Sequence, residues 1–263
     1  MNFNRFKKVV LSDFNSTIQL YGMSMLIMMC VPLCVWLFGL AFRISNIEFL
    51  ARVSIMQFVV ILAAAISSMK IYKSCNLPGQ GNYFAMRPAA LGEKFTSMLL
   101  YCFILTPLAV ALGFFAVDTL LTLLPFGPYK TFIWHKPDWV QDLGEVGTAY
   151  INSSYFSFDA FVSTALKAIS TAAIFMFTNT IFKKNKFVKT ILWIALISFV
   201  VTIVMFPIIT HVNWDFSWLK NLFNDMTPQK FHNLVFWTTF TAYALVTILF
   251  SFLSFRRLKK MQY

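Results

Sequence analysis

Few side chains in this sequence are spaced for catalysis, metal binding or nucleotide binding. The three histidines, His135, His211 and His232, lack the i, i+4 spacing and the paired acid of a metalloprotease helix. No G-x-S-x-G motif occurs, and the glycines Gly79 and Gly81 do not belong to a G-x-x-x-x-G-K-[ST] phosphate-binding loop. We therefore expect no catalytic residues, no cofactor site and no metal site, and we expect any ATP hydrolysis to require another chain.

Two ionisable side chains lie inside long apolar stretches. Asp118 lies near the end of the third stretch, and Lys167 lies a short way into the fourth. An ionisable group inside a membrane span is a functional candidate by default. The alternatives are a hydrated structural acid near the interface and a lysine whose stem reaches the headgroups. The sequence leaves open whether Asp118 and Lys167 pair with each other.

The composition indicates that these stretches cross a bilayer. The chain has 263 residues, of which 59% are hydrophobic and only 12% are charged, and its mean hydropathy is +0.69. A soluble domain of this length could not bury so much apolar surface. The net charge of +12 does not indicate nucleic-acid binding, because the bases lie between apolar stretches as they do in integral membrane proteins.

Six stretches are long enough to cross the bilayer as helices, which takes about 20 residues each. Their apolar runs are continuous, without the alternation of barrel strands. The sequence therefore predicts an all-α polytopic membrane protein with one transmembrane domain over residues 1–263. The predicted spans are 20–42, 53–72, 95–124, 160–182, 190–212 and 234–255.

The N-terminal segment has its own pattern. Phe3, Phe6, Val10 and Phe14 recur at spacings of three and four, with basic residues and Asp13 between them. On a helix this spacing produces an apolar stripe and a basic face, which predicts an N-terminal interfacial helix in the membrane plane. The alternative is a simple basic anchor.

The distribution of bases predicts the orientation. One set of connections holds fifteen bases and two acids, whereas the opposite set holds six bases and most of the acids. Because cytoplasmic connections carry the excess of Lys and Arg, both termini are expected in the cytoplasm and the protein in the plasma (inner) membrane. The aromatic-rich loop 126–158 is then external. The fifteen bases are Arg5, Lys7, Lys8, Lys70, Lys73, Arg87, Lys94, Lys183, Lys184, Lys186, Lys189, Arg256, Arg257, Lys259 and Lys260.

The stretch "YFAMRPAALGEKFTSMLLY", residues 83–101, follows the second predicted span. Pro88 suits the first turn of a helix, because its missing N–H has no intrahelical partner there. The stretch therefore predicts a short cytoplasmic helix joined to the third span, with an ordinary charged linker as the alternative.

This stretch resembles the segment after the second span in type-2 ABC transporter permeases, which carry an "RP-x-x-x-x-E-K" or "LP-S-x-x-E" pattern before an apolar span. Arg87 to Ala90 replace the commoner Leu-Pro-x-Ser, and Gly92 adds flexibility before the glutamate. In that family the segment is the coupling helix that docks on the ATPase subunit. The resemblance assigns docking to Arg87, Pro88, Leu91, Glu93 and Lys94.

The resemblance implies a permease subunit of an ATP-driven ABC exporter that lacks its own ATPase site. Its partners would be a separate ABC ATPase subunit and a second permease subunit, identical or different, within the lipid bilayer. Two alternatives stay open. One is a non-transporting membrane scaffold or assembly factor that binds a cytoplasmic partner through the same segment. The other is a membrane enzyme acting on lipid, which the lack of catalytic clusters disfavours.

Overall fold

The computed structural model describes residues 3–44, 46–71, 89–133, 158–182, 184–211 and 228–261, and these residues form helices and short connections without any strand. This confirms the predicted all-α class. The α-helices are α1 Phe3–Met29, α2 Val31–Ala41, α3 Phe49–Lys70, α4 Leu91–Leu99, α5 Thr106–Thr122, α6 Phe158–Ile181, α7 Lys186–His211 and α8 Pro228–Met261, and a π-helical segment, Leu100–Leu105, joins α4 to α5.

Within the described ranges, five helical stretches are long and apolar enough to cross a membrane. They carry the first, second, third, fourth and sixth predicted spans. The predicted fifth span falls on α7, apart from Val212, which lies outside the described residues. Helix α7 is not one of the five stretches, so the total of six spans is not confirmed. The five stretches are Asn4–Ala41, Phe49–Lys70, Leu91–Thr122, Phe161–Ile181 and Asn233–Lys260.

The packing of α3 shows how the first helices run. Ile71, just after α3, packs in one cluster with Phe95 of α4, whereas Val53 near the start of α3 packs with Val110 and Phe114 of α5. Helix α3 is therefore antiparallel to the stretch from α4 to α5. Helix α1 runs with that stretch, because Tyr21 belongs to the first cluster and its later residue Met28 to the second.

In the second half of the chain, α6 and α8 both run in the direction of α3. Helix α6 runs parallel to α3, because Val60 and Ala64 pack with Ala168 and Ala172, while the later residues of α3 pack with Phe175. Helix α8 runs parallel to α6: the rings of Phe177 and Phe250 lie 5.4 Å apart, and the Arg257 Nε donates to the Thr180 carbonyl, later in both helices, at 3.1 Å. Helix α7 begins beside the end of α6, where the Thr190 hydroxyl donates to the Thr178 hydroxyl at 2.9 Å.

The N-terminal segment is helical, but it continues without a break into the first membrane-spanning stretch. A separate interfacial helix is therefore not confirmed. The break in the stretch comes later, at Cys30, just before Pro32 in the first turn of α2. A proline there lacks the N–H that would continue the hydrogen bonding of α1.

Proline also marks the irregularity in the third span. The backbone widens into a π-helix over Leu100–Leu105, immediately before Pro107. Pro107 has no N–H to donate, and the Tyr101 carbonyl accepts from both the backbone N–H and, at 2.9 Å, the hydroxyl of Thr106. A proline inside a helix commonly produces a kink, and here the local adjustment is a widened turn.

Candidate functional site

The segment singled out for docking begins the third span. Helix α4 starts at Leu91, and the Ala90 N–H donates to the Glu93 carboxylate at 3.2 Å. This contact is the glutamate half of a capping box, since alanine has no side-chain acceptor for the other half. Glu93 and Lys94 are 4% and 3% exposed, and Leu91 is half-buried. Arg87 and Pro88 lie outside the described residues.

Helix α4 and the π-helical segment after it are attached to α1 by two hydrogen bonds, one buried and one partly buried. The Ser97 hydroxyl donates to the Asp13 carboxylate at 2.7 Å, and the Tyr101 hydroxyl donates to the Val10 carbonyl at 2.7 Å. Asp13 is 3% exposed. The amphipathic N-terminal pattern thus includes an acid that faces another helix, and α1 and α4 are expected to move together.

Helix α4 and the π-helical segment after it also contribute to an apolar cluster whose side chains come from five helical stretches. We call it the converging cluster. The ring of Phe95 packs edge-on against Phe255 of α8, with ring centroids 5.2 Å apart. A displacement at the start of α4 would therefore push directly on α1, on the end of α3, and on α6 and α8. The buried members of the converging cluster are Tyr21, Ile71, Phe95, Met98, Cys102, Met176 and Leu258.

The opposite end of the bundle holds a buried ion pair. The Arg52 Nη2 lies 2.6 Å from the Asp118 Oδ2, and both side chains are 1% exposed. The Arg52 Nη1 also donates to the Thr131 carbonyl at 2.7 Å, and the guanidinium carbon lies 4.3 Å from the centroid of the Tyr129 ring. The pair thus joins the start of α3 to the end of α5 and to the connection after it.

The connection 123–133 closes over this ion pair. The Tyr129 hydroxyl donates to the Pro32 carbonyl at 2.9 Å, and the Ile47 N–H donates to the Pro128 carbonyl at 2.9 Å. A Cβ added to Gly127 would lie 2.3 Å from the indole nitrogen of Trp36, so only glycine fits there without a shift. Burial raises the pKa of the Tyr129 phenol, and the neighbouring Asp118 carboxylate raises it further.

Asp118 is thus buried, but Lys167 is not its partner. Lys167 is half-buried on α6. The next residue, Ala168, packs with Val60 of α3, eight positions along that helix from Arg52. At 1.5 Å per residue, this places Lys167 about 12 Å deeper along α3 than the ion pair. An Asp118–Lys167 pair is therefore not formed in this structure.

Sequence reasoning missed Arg52, because a base just before an apolar stretch was counted as part of an external connection. Helix α3 in fact begins at Phe49, which places Arg52 in its first turn. The position of each residue along its span could have predicted the Arg52–Asp118 pair. In two antiparallel spans, a base at the start of one lies level with an acid at the end of the other.

A second polar network at the base-rich end also went unpredicted. The Asn179 amide donates to the Ser68 carbonyl at 3.0 Å, and its oxygen accepts from the Lys186 Nζ at 2.6 Å. The Thr190 hydroxyl donates to the Thr178 hydroxyl at 2.9 Å. These contacts join α3, α6 and α7 near the turn between α6 and α7.

Comparison with protein-family models, with curated proteins and with solved structures finds no match to this chain. The function must therefore be argued from the geometry of the two ends of the bundle and from the sequence pattern of the segment before α4.

Proposed function

We propose that this protein is the membrane-spanning permease subunit of an ATP-driven ABC exporter, coupled to a separate nucleotide-binding subunit. The observation that carries the proposal is the converging cluster. The segment with the "RP-x-x-x-x-E-K" pattern leads straight into apolar contacts with α1, α3, α6 and α8. A soluble partner pressing on this segment would act on most of the bundle at once.

We further propose six spans, with α7 as the fifth, and a cytoplasmic position for the base-rich end in the inner membrane. Two observations support this topology. Helices α6 and α8 run parallel to each other, so the chain between them has to return to the other end of the bundle, and from Ile191 to Val200 every side chain of α7 is exposed. An apolar helix exposed on all sides is stable when lipid or another apolar surface surrounds it.

The docking surface in this proposal is the segment from Arg87 through Leu91. Glu93 and Lys94 are buried, so their role is to hold the segment in place: Glu93 caps α4. In this proposal the residues that contact the ATPase directly are those preceding α4 and the first residue of α4, and Glu93 and Lys94 do not contact it.

The proposed mechanism requires two permease halves, identical or different, with the substrate path between them. Closure of two ATP-bound subunits would draw the two docking segments together. Because α1 and α4 are hydrogen-bonded to each other, they would move as a unit and shift the spans between inward-open and outward-open states.

Crosslinked copurification tests the proposal. The full chain carrying Leu91→Cys, in a background without the four native cysteines, is isolated from its native membranes after treatment with a short bismaleimide. We expect one crosslinked soluble subunit with a G-x-x-x-x-G-K-[ST] loop, and ATP hydrolysis by the reconstituted complex that depends on the chain. Purification of the chain alone in an active form would contradict the proposal.

Glu93 supplies a matched pair of variants. Glu93→Gln keeps a side-chain oxygen for the Ala90 N–H, whereas Glu93→Arg removes the acceptor and buries a second cation beside Lys94. We expect Glu93→Arg to uncouple ATP hydrolysis from transport and Glu93→Gln to retain most of the coupling. Equal, normal coupling in both variants would show that Glu93 has no part in it.

The burial of Glu93 and Lys94 also suits the second candidate, a non-transporting scaffold that binds a cytoplasmic partner. The same complex separates the two candidates, because a scaffold would copurify with its partner without altering the partner's ATP hydrolysis.

The topology has its own test. In the same cysteine-free background, Gly81→Cys should react with an impermeant maleimide only after the cells are permeabilised, and Lys130→Cys should react in intact cells. The reverse pattern would overturn the orientation.

A further inference from the structure

Six exposed cations lie at the base-rich end, in the turn before α7, on α7 and on α8, and both of these helices contact α6. Two contacts place one cation of α8 and one of α7 at the end of α6. The Arg257 Nε donates to the Thr180 carbonyl in the last turn of α6, and the Lys189 ammonium lies 5.9 Å from the ring centroid of Phe182, two residues further on. We call this group the basic flank. Its members are Lys184, Lys189, Arg256, Arg257, Lys259 and Lys260.

Among the residues that the structure describes, no ion pair joins the basic flank to an acid; the ion pair that they contain, Arg52–Asp118, lies at the other end of the bundle. On α8, Arg256 lies three and four residues from Lys259 and Lys260, so the like charges are neighbours on one helix face. Such neighbours repel each other. An external anion would therefore stabilise the flank.

Directly beside these cations the helices present apolar side chains outwards. Val188, Leu192 and Trp193 surround Lys189 on α7 and are 59%, 62% and 55% exposed. One turn before Arg256, Phe252 of α8 is 57% exposed. The boundary between exposed apolar surface and exposed cations thus falls at a common depth on two helices.

We propose that the basic flank binds the phosphate headgroup of an anionic phospholipid whose acyl chains lie along α7 and α8. Cations at the end of apolar spans attract anionic headgroups, and basic pockets between spans bind them specifically. A lipid fits this surface better than a soluble protein or a nucleic acid, because it meets the cations and the adjoining apolar side chains simultaneously. The inference needs only that these helices lie in a bilayer, and it does not rest on the exporter proposal.

Trp193 provides the probe, since it lies one turn from Lys189. The full chain is reconstituted in phosphatidylcholine vesicles that contain either brominated phosphatidylglycerol or brominated phosphatidylcholine, whose bromines quench nearby tryptophan. Subtracting the signal of Trp193→Phe isolates this one of the seven tryptophans. We expect stronger quenching by the anionic lipid, and the preference should fall by up to about fivefold for each cation that is removed.

Two variants on different helices test whether the flank is one site. Lys184→Gln with Lys189→Gln, and separately Arg256→Gln with Lys259→Gln, should both reduce the lipid preference at Trp193. The matched control is Lys7→Gln with Lys8→Gln, which removes two exposed cations from α1; it should leave the preference unchanged. All substituted side chains are exposed, so the fold is expected to persist.

Four outcomes would overturn the inference. Equal quenching by both lipids would show that there is no preference, and an equal loss in the α1 control would show a general surface-charge effect. Displacement by inorganic phosphate alone would indicate an anion site that does not need a lipid. Loss of a copurifying soluble protein, with the lipid preference intact, would assign the flank to protein docking.

Discussion

The buried Arg52–Asp118 pair supports the most quantitative prediction. Replacing Asp118 with alanine leaves the Arg52 guanidinium without an acid at a site that is 1% exposed. The guanidinium cannot lose its proton, whereas a carboxyl group left alone by Arg52→Met can be neutralised by gaining one. We therefore expect Asp118→Ala to be the more destabilising of the two substitutions.

The magnitude follows from the geometry. With a 2.6 Å contact, the charge centres are roughly 4 Å apart, which corresponds to about 4 kcal/mol at an effective dielectric constant of about 20. Removing one partner of a buried pair typically costs about 3–5 kcal/mol. In Asp118→Ala, Arg52 keeps its contacts with the Thr131 carbonyl and the Tyr129 ring, which still stabilise the guanidinium. We therefore expect the cost in the free energy of unfolding to lie near the lower end of this range, at about 3 kcal/mol.

Cys102 reports on unfolding. It is 0% exposed within the converging cluster, whereas Cys30 and Cys34 are exposed. With Cys30, Cys34 and Cys75 changed to serine, a thiol-reactive fluorophore labels Cys102 only when the bundle opens. Titrating the detergent-solubilised protein with a denaturing detergent then provides the free energy of unfolding for each variant.

The double variant Arg52→Met with Asp118→Ala completes a thermodynamic cycle with the two single variants. Because it leaves no unpaired charge, it should be less destabilised than Asp118→Ala alone. Lys130→Met, which removes an exposed cation from the neighbouring connection, should change stability by less than about 0.5 kcal/mol. A coupling energy near zero, or a double variant as unstable as the sum of the single ones, would refute the reasoning.

Three further predictions concern single side chains. Burial holds the pKa of the Tyr129 phenol above its usual value of 10. The phenol therefore stays protonated above pH 10 in the folded state, and the stability of the protein falls as the pH rises beyond 10. The difference in absorbance at phenolate wavelengths between the wild type and Tyr129→Phe should show no step at pH 10. Arg43 has φ 53°, in the left-handed region, where the Ile44 N–H donates to the Gly39 carbonyl at the end of α2. Because glycine adopts this conformation without a Cβ clash, Arg43→Gly should stabilise the protein by about 0.5–1 kcal/mol. A loss of stability in the detergent titration would contradict the left-handed assignment. Asn179→Ala removes the partner of two buried groups and should cost about 2–3 kcal/mol; a cost below about 0.5 kcal/mol would mean that water replaces the amide.

Much of the helical architecture could be predicted, because long apolar stretches with polar ends determine where bilayer helices fall. The boundaries were less accurate. The second and third predicted spans begin at 53 and 95, whereas α3 begins at Phe49 and α4 at Leu91. In both cases a charged residue, Arg52 or Lys94, directly precedes the predicted start of the span, although the helix includes it and its side chain is buried.

The candidate sites were harder to predict for the same reason. Asp118 is visible in the sequence as an acid in an apolar stretch, but its partner is 66 positions away. Asp13 appeared to belong to the polar face of an interfacial helix, yet it accepts a hydrogen bond from Ser97, 84 positions away. Apolar periodicity records which face is buried, but it does not say which helix covers that face.

The third span connects the two ends of the molecule, and its irregular turn lies where the two sets of contacts meet. Ser97 lies before that turn and Tyr101 lies at its beginning, and both bind α1; after the turn, Asp118 binds Arg52. Bending a regular helix breaks backbone hydrogen bonds, whereas at Pro107 one donor is already missing. Bending between Leu100 and Pro107 therefore costs less than bending elsewhere in the span. If ATP-driven movement of α4 occurs as proposed, the ion pair can remain closed while the start of the span moves.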